Sequence, residues 1–302
     1  ECAWATMDRS RQSATWLRWA RRLPPEEVRA RPVLCAGYAW ALLDSGELEA
    51  AEDRLRDAQR WLDQRSRVDD LHAARDVGMI VADEAEFDAL PATVASAHAY
   101  VALARGDLPA AIEASRRALA LLAPDDDLRR GIPASLLALA LWRSGDLQPA
   151  YDAFSEAMDR FRRAGNILFA ITGTYILADI RLAQGRLRDA IGVYERAIQL
   201  AEAQGEPIQR GTADLYLGLS ELKREQGDLH AAAAHLHHSE ALREQAALPR
   251  WEYRWHLAQA RICEEAGDLH GALERLDEAQ RLYLRGPVPD VRPIAALKAT
   301  IW

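Results

Sequence analysis

Apolar stretches of helical period fill most of the chain, in pairs punctuated by a Gly, a polar residue and a Leu. The punctuation occurs six times, as Gly46-Glu47-Leu48, Gly106-Asp107-Leu108, Gly145-Asp146-Leu147, Gly185-Arg186-Leu187, Gly227-Asp228-Leu229 and Gly267-Asp268-Leu269. Successive glycines lie 60, 39, 40, 42 and 40 residues apart. A period near 40 with two helical stretches in each predicts a stacked array of helical hairpins. Helices are expected near 10–22, 32–44, 48–62, 93–104, 108–122, 133–143, 147–163, 167–183, 187–203, 211–225, 229–246, 250–265, 269–284 and 293–302.

Fixed offsets from each Gly support the array. Five residues after it stand Ala51, Ala111, Ala150, Ala190, Ala232 and Ala272; twelve after it, Ala58, Ala118, Ala157, Ala197, Ser239 and Ala279. Seven before it stand Ala39, Ala99, Ala138, Ala178, Ser220 and Ala260. These match the small positions of the tetratricopeptide pattern, where two antiparallel helices approach closely and a larger side chain would overpack the seam by roughly 1–3 kcal/mol. The Gly ends one helix in the left-handed region, and the acidic residue after it caps or charge-complements the next. The fold class expected is all-α, a right-handed superhelical solenoid of about six to seven such hairpins. Residues 1–302 are read as a single domain and a fragment of a larger array, with hairpins near 31–62, 92–122, 133–163, 167–203, 208–246 and 250–284.

Two places break the pattern. The 60-residue interval contains an inserted loop, 63–91, with an acidic patch (Asp83, Glu84, Glu86, Asp88) and a short apolar run, 77–81. It is expected to be an ordered loop packed on the array. Near the other end, the turn Gly286-Pro287-Val288-Pro289 precedes half a hairpin, 293–302, which is expected to fray first because it has one neighbour instead of two.

Composition narrows the chemistry. The formal charge of −8 disfavours phosphate backbones, so direct nucleic-acid binding is not expected. No apolar run approaches the ~18–20 residues of a membrane span. Cys2, Cys35 and Cys263 are odd in number and far apart; they suggest neither a zinc site nor a disulfide framework, and a cytoplasmic setting is expected. The sequence lacks a Walker phosphate loop, a Gly-x-Ser-x-Gly elbow and a His-Glu-x-x-His motif. His235 and His238 share a helix face without a nearby Cys, which reads as a solvated surface and not as a metal site. Neither an enzyme nor a cofactor in this chain is expected.

The useful surface is the concave one, lined by the first helix of each hairpin. Positions ten, six and three before each Gly point inward in tetratricopeptide geometry. They supply Trp40, Tyr100, Trp142 and Tyr175 as an aromatic stretch, and Asp179, Glu221, Arg224 and Arg261 as a charged one. Aromatic faces suit sugar rings and apolar ligands, and Arg and carboxylates fix polar groups. Trp40 and Trp142 could equally fill the space between repeats. Trp251 and Trp255, at helical spacing, are expected in the core.

Longer strings carry a resemblance. Ala14-Thr15-Trp16-Leu17-Arg18-Trp19-Ala20-Arg21-Arg22-Leu23-Pro24, Leu177-Ala178-Asp179-Ile180-Arg181-Leu182, Gly211-Thr212-Ala213-Asp214-Leu215-Tyr216 and Val291-Arg292-Pro293-Ile294 are similar to the tetratricopeptide sensor region of MalT-like, ATP-dependent LuxR-family (LAL-type) transcription regulators. The resemblance spans nearly the whole chain. It implies a segment that binds a small-molecule inducer or a regulatory protein on its concave face, shifting the full protein between resting and self-associating states. ATP would bind only in a separate upstream module, and DNA only in a downstream one. The alternative is a stand-alone protein–protein interaction scaffold whose groove reads a peptide.

Overall fold

The computed structural model describes residues 13–65, 78–248, 250–283 and 293–301, and among these it is helical throughout, with no strand. They fall into two compact units, one running to Ala164 and one starting at Gly165.

In the first unit, α1 (Ser13–Ala20) and α2 (Pro25–Arg29) lead into three hairpins: α3 (Pro32–Asp44) with α4 (Leu48–Arg65), α5 (Glu84–Arg105) with α6 (Leu108–Leu121), and α7 (Asp127–Arg143) with α8 (Leu147–Arg163). In the second, α9 (Ile167–Thr172) and α10 (Thr174–Ala183) pair with α11 (Leu187–Glu202), and α12 (Thr212–Glu225) pairs with α13 (Leu229–Ala241). A short α14 (Arg243–Ala246) leads to the pair α15 (Trp251–Glu265) and α16 (Leu269–Leu282), on which α17 (Ile294–Ile301) packs.

The small positions do what the spacing requires. Ala51, Ala111, Ala150, Ala190, Ala232 and Ala272 are all fully buried, as are Ala39, Ala99, Ala138 and Ala178. Ser replaces Ala twice without leaving a polar atom unpaired. Ser220 Oγ donates to the Ala232 carbonyl (2.7 Å) and Ser239 Oγ to the Ala213 carbonyl (2.6 Å), so each serine hydrogen-bonds across its own helix seam. The six repeat glycines all have φ between 73° and 91°, the left-handed region that ends the first helix of each pair. Asp107, Asp228 and Asp268 then accept from the N–H three residues on and cap the second helix; Asp146 makes no such bond.

Several helix bounds differ from the periodicity. α5 starts at Glu84, not near 93, so the end of the expected loop is helical. Asp83 caps it by accepting from Glu86 N at 3.1 Å, and buried Phe87 and Leu90 anchor the added turns ahead of Pro91. The acidic patch is therefore a helix start, where negative charge complements the dipole. Before it, Met79 is buried and Ile80 N donates to Ala30 O at 2.8 Å, which ties this stretch to the array. The rest of the apolar run's beginning, residue 77, lies outside the described residues, as do residues 66–76. α7 likewise starts earlier than 133, at Asp127, because Asp126 caps Arg129 N. The expected helix 167–183 divides at Gly173, and the expected 229–246 at Leu242.

α17 contributes no fully buried residue; Ile294, Leu297 and Ile301 rest on Tyr253, Leu257 and Leu276 from one side. Its amides are expected to exchange with solvent faster than those of α15. Hydrogen exchange in which 294–301 is as protected as 251–265 would contradict this.

Candidate functional site

The eight residues expected on the inner face divide between the two units. In the first, Trp40 and Tyr100 are half-buried and meet edge to face, with centroids 5.9 Å apart and planes at 80°. Tyr100 Oη lies 3.4 Å from the Leu43 carbonyl, and both rings pack against the core of their unit. Trp142 is buried.

In the second unit the residues converge. Tyr175 and Asp179 lie on α10, Glu221 and Arg224 on α12, and Arg261 on α15. Three further residues link them: Tyr194 on α11, Asp214 on α12 and Arg254 on α15. The Arg254 guanidinium stacks 5.0 Å above the Tyr175 ring. Its nitrogens lie 3.6 Å from Asp214 Oδ1 and 4.0 Å from Glu221 Oε2, charge contacts longer than hydrogen bonds. The Tyr194 phenol and Asp179 lie close enough to the same guanidinium to act on it electrostatically. Arg254 is only 18% exposed, Asp214 9% and Glu221 10%.

Tyr194 reaches this cluster because α12 has a Gly in its way. A Cβ on Gly218 would stand 2.1 Å from Tyr194 Cζ, so the phenol lies directly on bare backbone. The Asp214 carboxylate has a second duty. Its Oδ2 accepts from Leu248 N at 3.0 Å, beside a 2.6 Å bond from Gly211 N to Ala246 O. Together these fasten the connection between the hairpins to the start of α12.

Electrostatics set the character of the cluster. Burial pushes the Asp214 carboxyl up, to about 6, against the opposing pull of Arg254 and the Leu248 N–H. Burial also raises the Tyr194 phenol, and the Asp179 and Glu221 charges add to it. Burial works against the charge on Arg254, but Tyr194, Asp214, Glu221 and Asp179 more than offset it and its proton affinity is raised. Further along the same two helices, Arg224 is buried and paired with Glu265 at 2.8 Å and with Glu225, which also meets Arg261 at 3.4 Å. Charged residues of α10, α12 and α15 thus gather into neighbouring groups, one around Arg254 and one of Arg224 and Arg261 with Glu225 and Glu265.

Asp214 and Arg254 were legible in principle. Each stands thirteen residues before its repeat glycine, Gly227 and Gly267, one helical turn beyond the stripe read from the offsets. Tyr194 had no such signal, since it comes from a second helix and reaches across only through Gly218.

Elsewhere, Trp251 is buried and Trp255 packs beside it in the same core cluster. His235 and His238 flank Tyr216, whose hydroxyl donates to Glu202 at 3.0 Å. Among the described residues there is no group of three His, Cys, Asp or Glu placed to hold a metal, and no helix is long and apolar enough to cross a membrane.

Paired helices with a small-residue seam are the geometry of a tetratricopeptide array, and a family model decides which one: the MalT-like TPR region matches residues 92–302. The chain belongs to the MalT-like TPR family. The match includes every residue of the Arg254 cluster. No curated protein matches the chain. Solved structures with the same fold include BtubC from P. vanneervenii, at 21% identity over 80% of this chain and 96% of that one, with a TM-score of 0.55. Aspartyl phosphate phosphatase F from Bacillus subtilis is 13% identical over 87% of this chain and 74% of its own, with a TM-score of 0.54. A tetratricopeptide repeat protein from Parabacteroides merdae is 14% identical over 88% and 97%, with a TM-score of 0.51. The MalT-like TPR chain shares the fold of all three.

Proposed function

We propose that this MalT-like TPR chain is the signal-sensing, partner-binding segment of a LuxR-type transcription regulator, and that a small-molecule inducer or a regulatory protein binds the inner faces of its first helices. The observation that carries the reading is the family match over 92–302, which takes in the convergent Tyr175, Asp179, Glu221, Arg224 and Arg261. Polar, charged and aromatic groups on successive hairpins suit a ligand that bridges repeats. Such a ligand acts by preferring one arrangement of the hairpins, and it shifts the protein only by its differential affinity, typically ~1–3 kcal/mol. Binding, and not catalysis, is the role in this reading, with ATP and DNA handled by modules outside this segment.

The coding DNA on both sides of the segment tests it. An upstream phosphate-binding loop and a downstream helix-turn-helix would support the regulator. Start and stop codons at the ends would replace it with a free-standing protein–protein scaffold. A transcription reporter driven by the full-length protein then tests sensing: Asp179→Asn with Tyr175→Ala should abolish the response to the inducing condition, and an unchanged response would place the signal elsewhere.

A further inference from the structure

The first two hairpins part company at a few matching positions. Glu52 stands six residues after Gly46, and Arg105, the last residue of α5, stands one before Gly106. The two pair at 2.7 Å and tie α4 to the end of α5. One hairpin on, the same positions are Ile112, on α6, and Ser144, directly after α7. They cannot make that pair. Ser144 Oγ turns back on its own helix and donates to the Ala140 carbonyl at 2.9 Å.

Two further differences lie on the same stretch of helix. Asp53 and Arg56, seven and ten residues after Gly46, form an ion pair. Glu113 and Arg116 hold those positions on α6, both exposed, and among the described residues neither pairs with the other or with a third group. Three residues after the repeat Gly, the other five copies carry Glu49, Gln148, Arg188, His230 and His270, all polar; the α6 copy carries Pro109. Where α4 is bridged by ion pairs, α6 therefore borders a cavity of about 460 Å³, lined by Leu108, Pro109, Ile112, Glu113, Arg116 and Ser144.

The shape and chemistry of this groove select its occupant. One helix start and one turn bound it, which encloses too little of a small molecule, since such ligands have most of their surface buried. A helix laid along the groove covers the apolar floor with its own apolar stripe and carries flanking residues to meet the two charges. We propose that the groove between the start of α6 and the turn after α7 docks an amphipathic helix of a partner protein. Apolar side chains of that helix rest on Leu108, Pro109 and Ile112, a basic one faces Glu113 and an acidic one faces Arg116. The floor supplies the affinity, and the two charges at its rim set orientation and register. The groove belongs to a second helix, apart from the inward stripe of the first helices, and it does not depend on the regulator reading.

The test uses the whole chain and a phage-displayed library of amphipathic helical peptides of about four turns, with charges of both signs varied beside the apolar stripe. Peptides selected on the wild type should lose affinity by about tenfold or more on Ile112→Glu with Ser144→Arg. That double change copies the Glu52–Arg105 pair and closes the groove. Should it fail to fold, as judged by circular dichroism, Pro109→Glu places the Glu49 acid on the floor and should cause the same loss. Selection repeated on Glu113→Arg with Arg116→Glu should enrich peptides with the flanking charges exchanged. No binders, binders indifferent to the closed groove, or unchanged charges after reversal would overturn the proposal. So would sedimentation that shows a wild-type dimer dispersed by the double change, because a second copy of the chain would then fill the groove.

Discussion

Replacing Arg254 by Met should destabilise the second unit by about 3–5 kcal/mol at pH 7, the range found when one partner of a buried ion pair is removed. The loss of attraction itself is the smaller part. Arg254→Met takes away the guanidinium that lies between Asp214 and Glu221, each about nine-tenths buried. The effect should shrink as pH falls. Removing the cation raises the proton affinity of Asp214 further, so at low pH that buried carboxyl is neutral and its charge no longer costs stability. Denaturation followed at pH 7 and pH 5 measures both numbers. A loss under about 1 kcal/mol, the same at both pH values, would mean that the contacts at 3.6 and 4.0 Å behave as surface pairs. Arg254→Lys should not restore the wild type, because a point charge cannot lie over Tyr175 and meet two separated acids at once.

The second large effect lies at Gly218, where two rules disagree on sign. Ala is better than Gly inside a helix by about 1 kcal/mol, so propensity predicts that Gly218→Ala stabilises α12. The added Cβ would stand 2.1 Å from Tyr194 Cζ and 2.2 Å from its Oη. That ring is 3% exposed. Overpacking of this kind costs roughly 1–3 kcal/mol, and against bare backbone under a buried ring the upper end applies, so a net loss of about 2 kcal/mol is expected. Gly192→Ala on α11 is the control. Its Cβ meets only the end of the Arg196 side chain at 3.2 Å, so propensity should win and the melting temperature should hold or rise. A Gly218→Ala chain as stable as Gly192→Ala would show that Tyr194 can leave its place at little cost.

The fold was open to sequence reading because its determinants are local and repeated. Gly106 or Gly227 reports a left-handed helix end wherever it stands, and Ala51 or Ala232 reports a close seam. Six copies made each signal unambiguous. Errors came where one local signal masked another. The period placed the start of α5 near 93, while Asp83 already caps it ten residues earlier. Gly173 lies inside an apolar run whose period continues across it, so periodicity alone joined α9 to α10.

The candidate site divides differently. Tyr175, Asp179, Glu221, Arg224 and Arg261 were reachable by counting back from each Gly, because an inner helix face is a property of one helix. The sequence by itself determined the hairpins and their seams, since helical period and small-residue spacing act within some forty residues. Tertiary structure alone decided that Arg254 answers to carboxylates on two other helices and that Tyr194 crosses bare backbone at Gly218 to reach it. It also decided that Asp214 closes on the main chain of Leu248. Those contacts depend on how far apart stacked hairpins stand. That distance, and the loss of water that comes with it, turns acids and a base spread along the chain into one strongly coupled group.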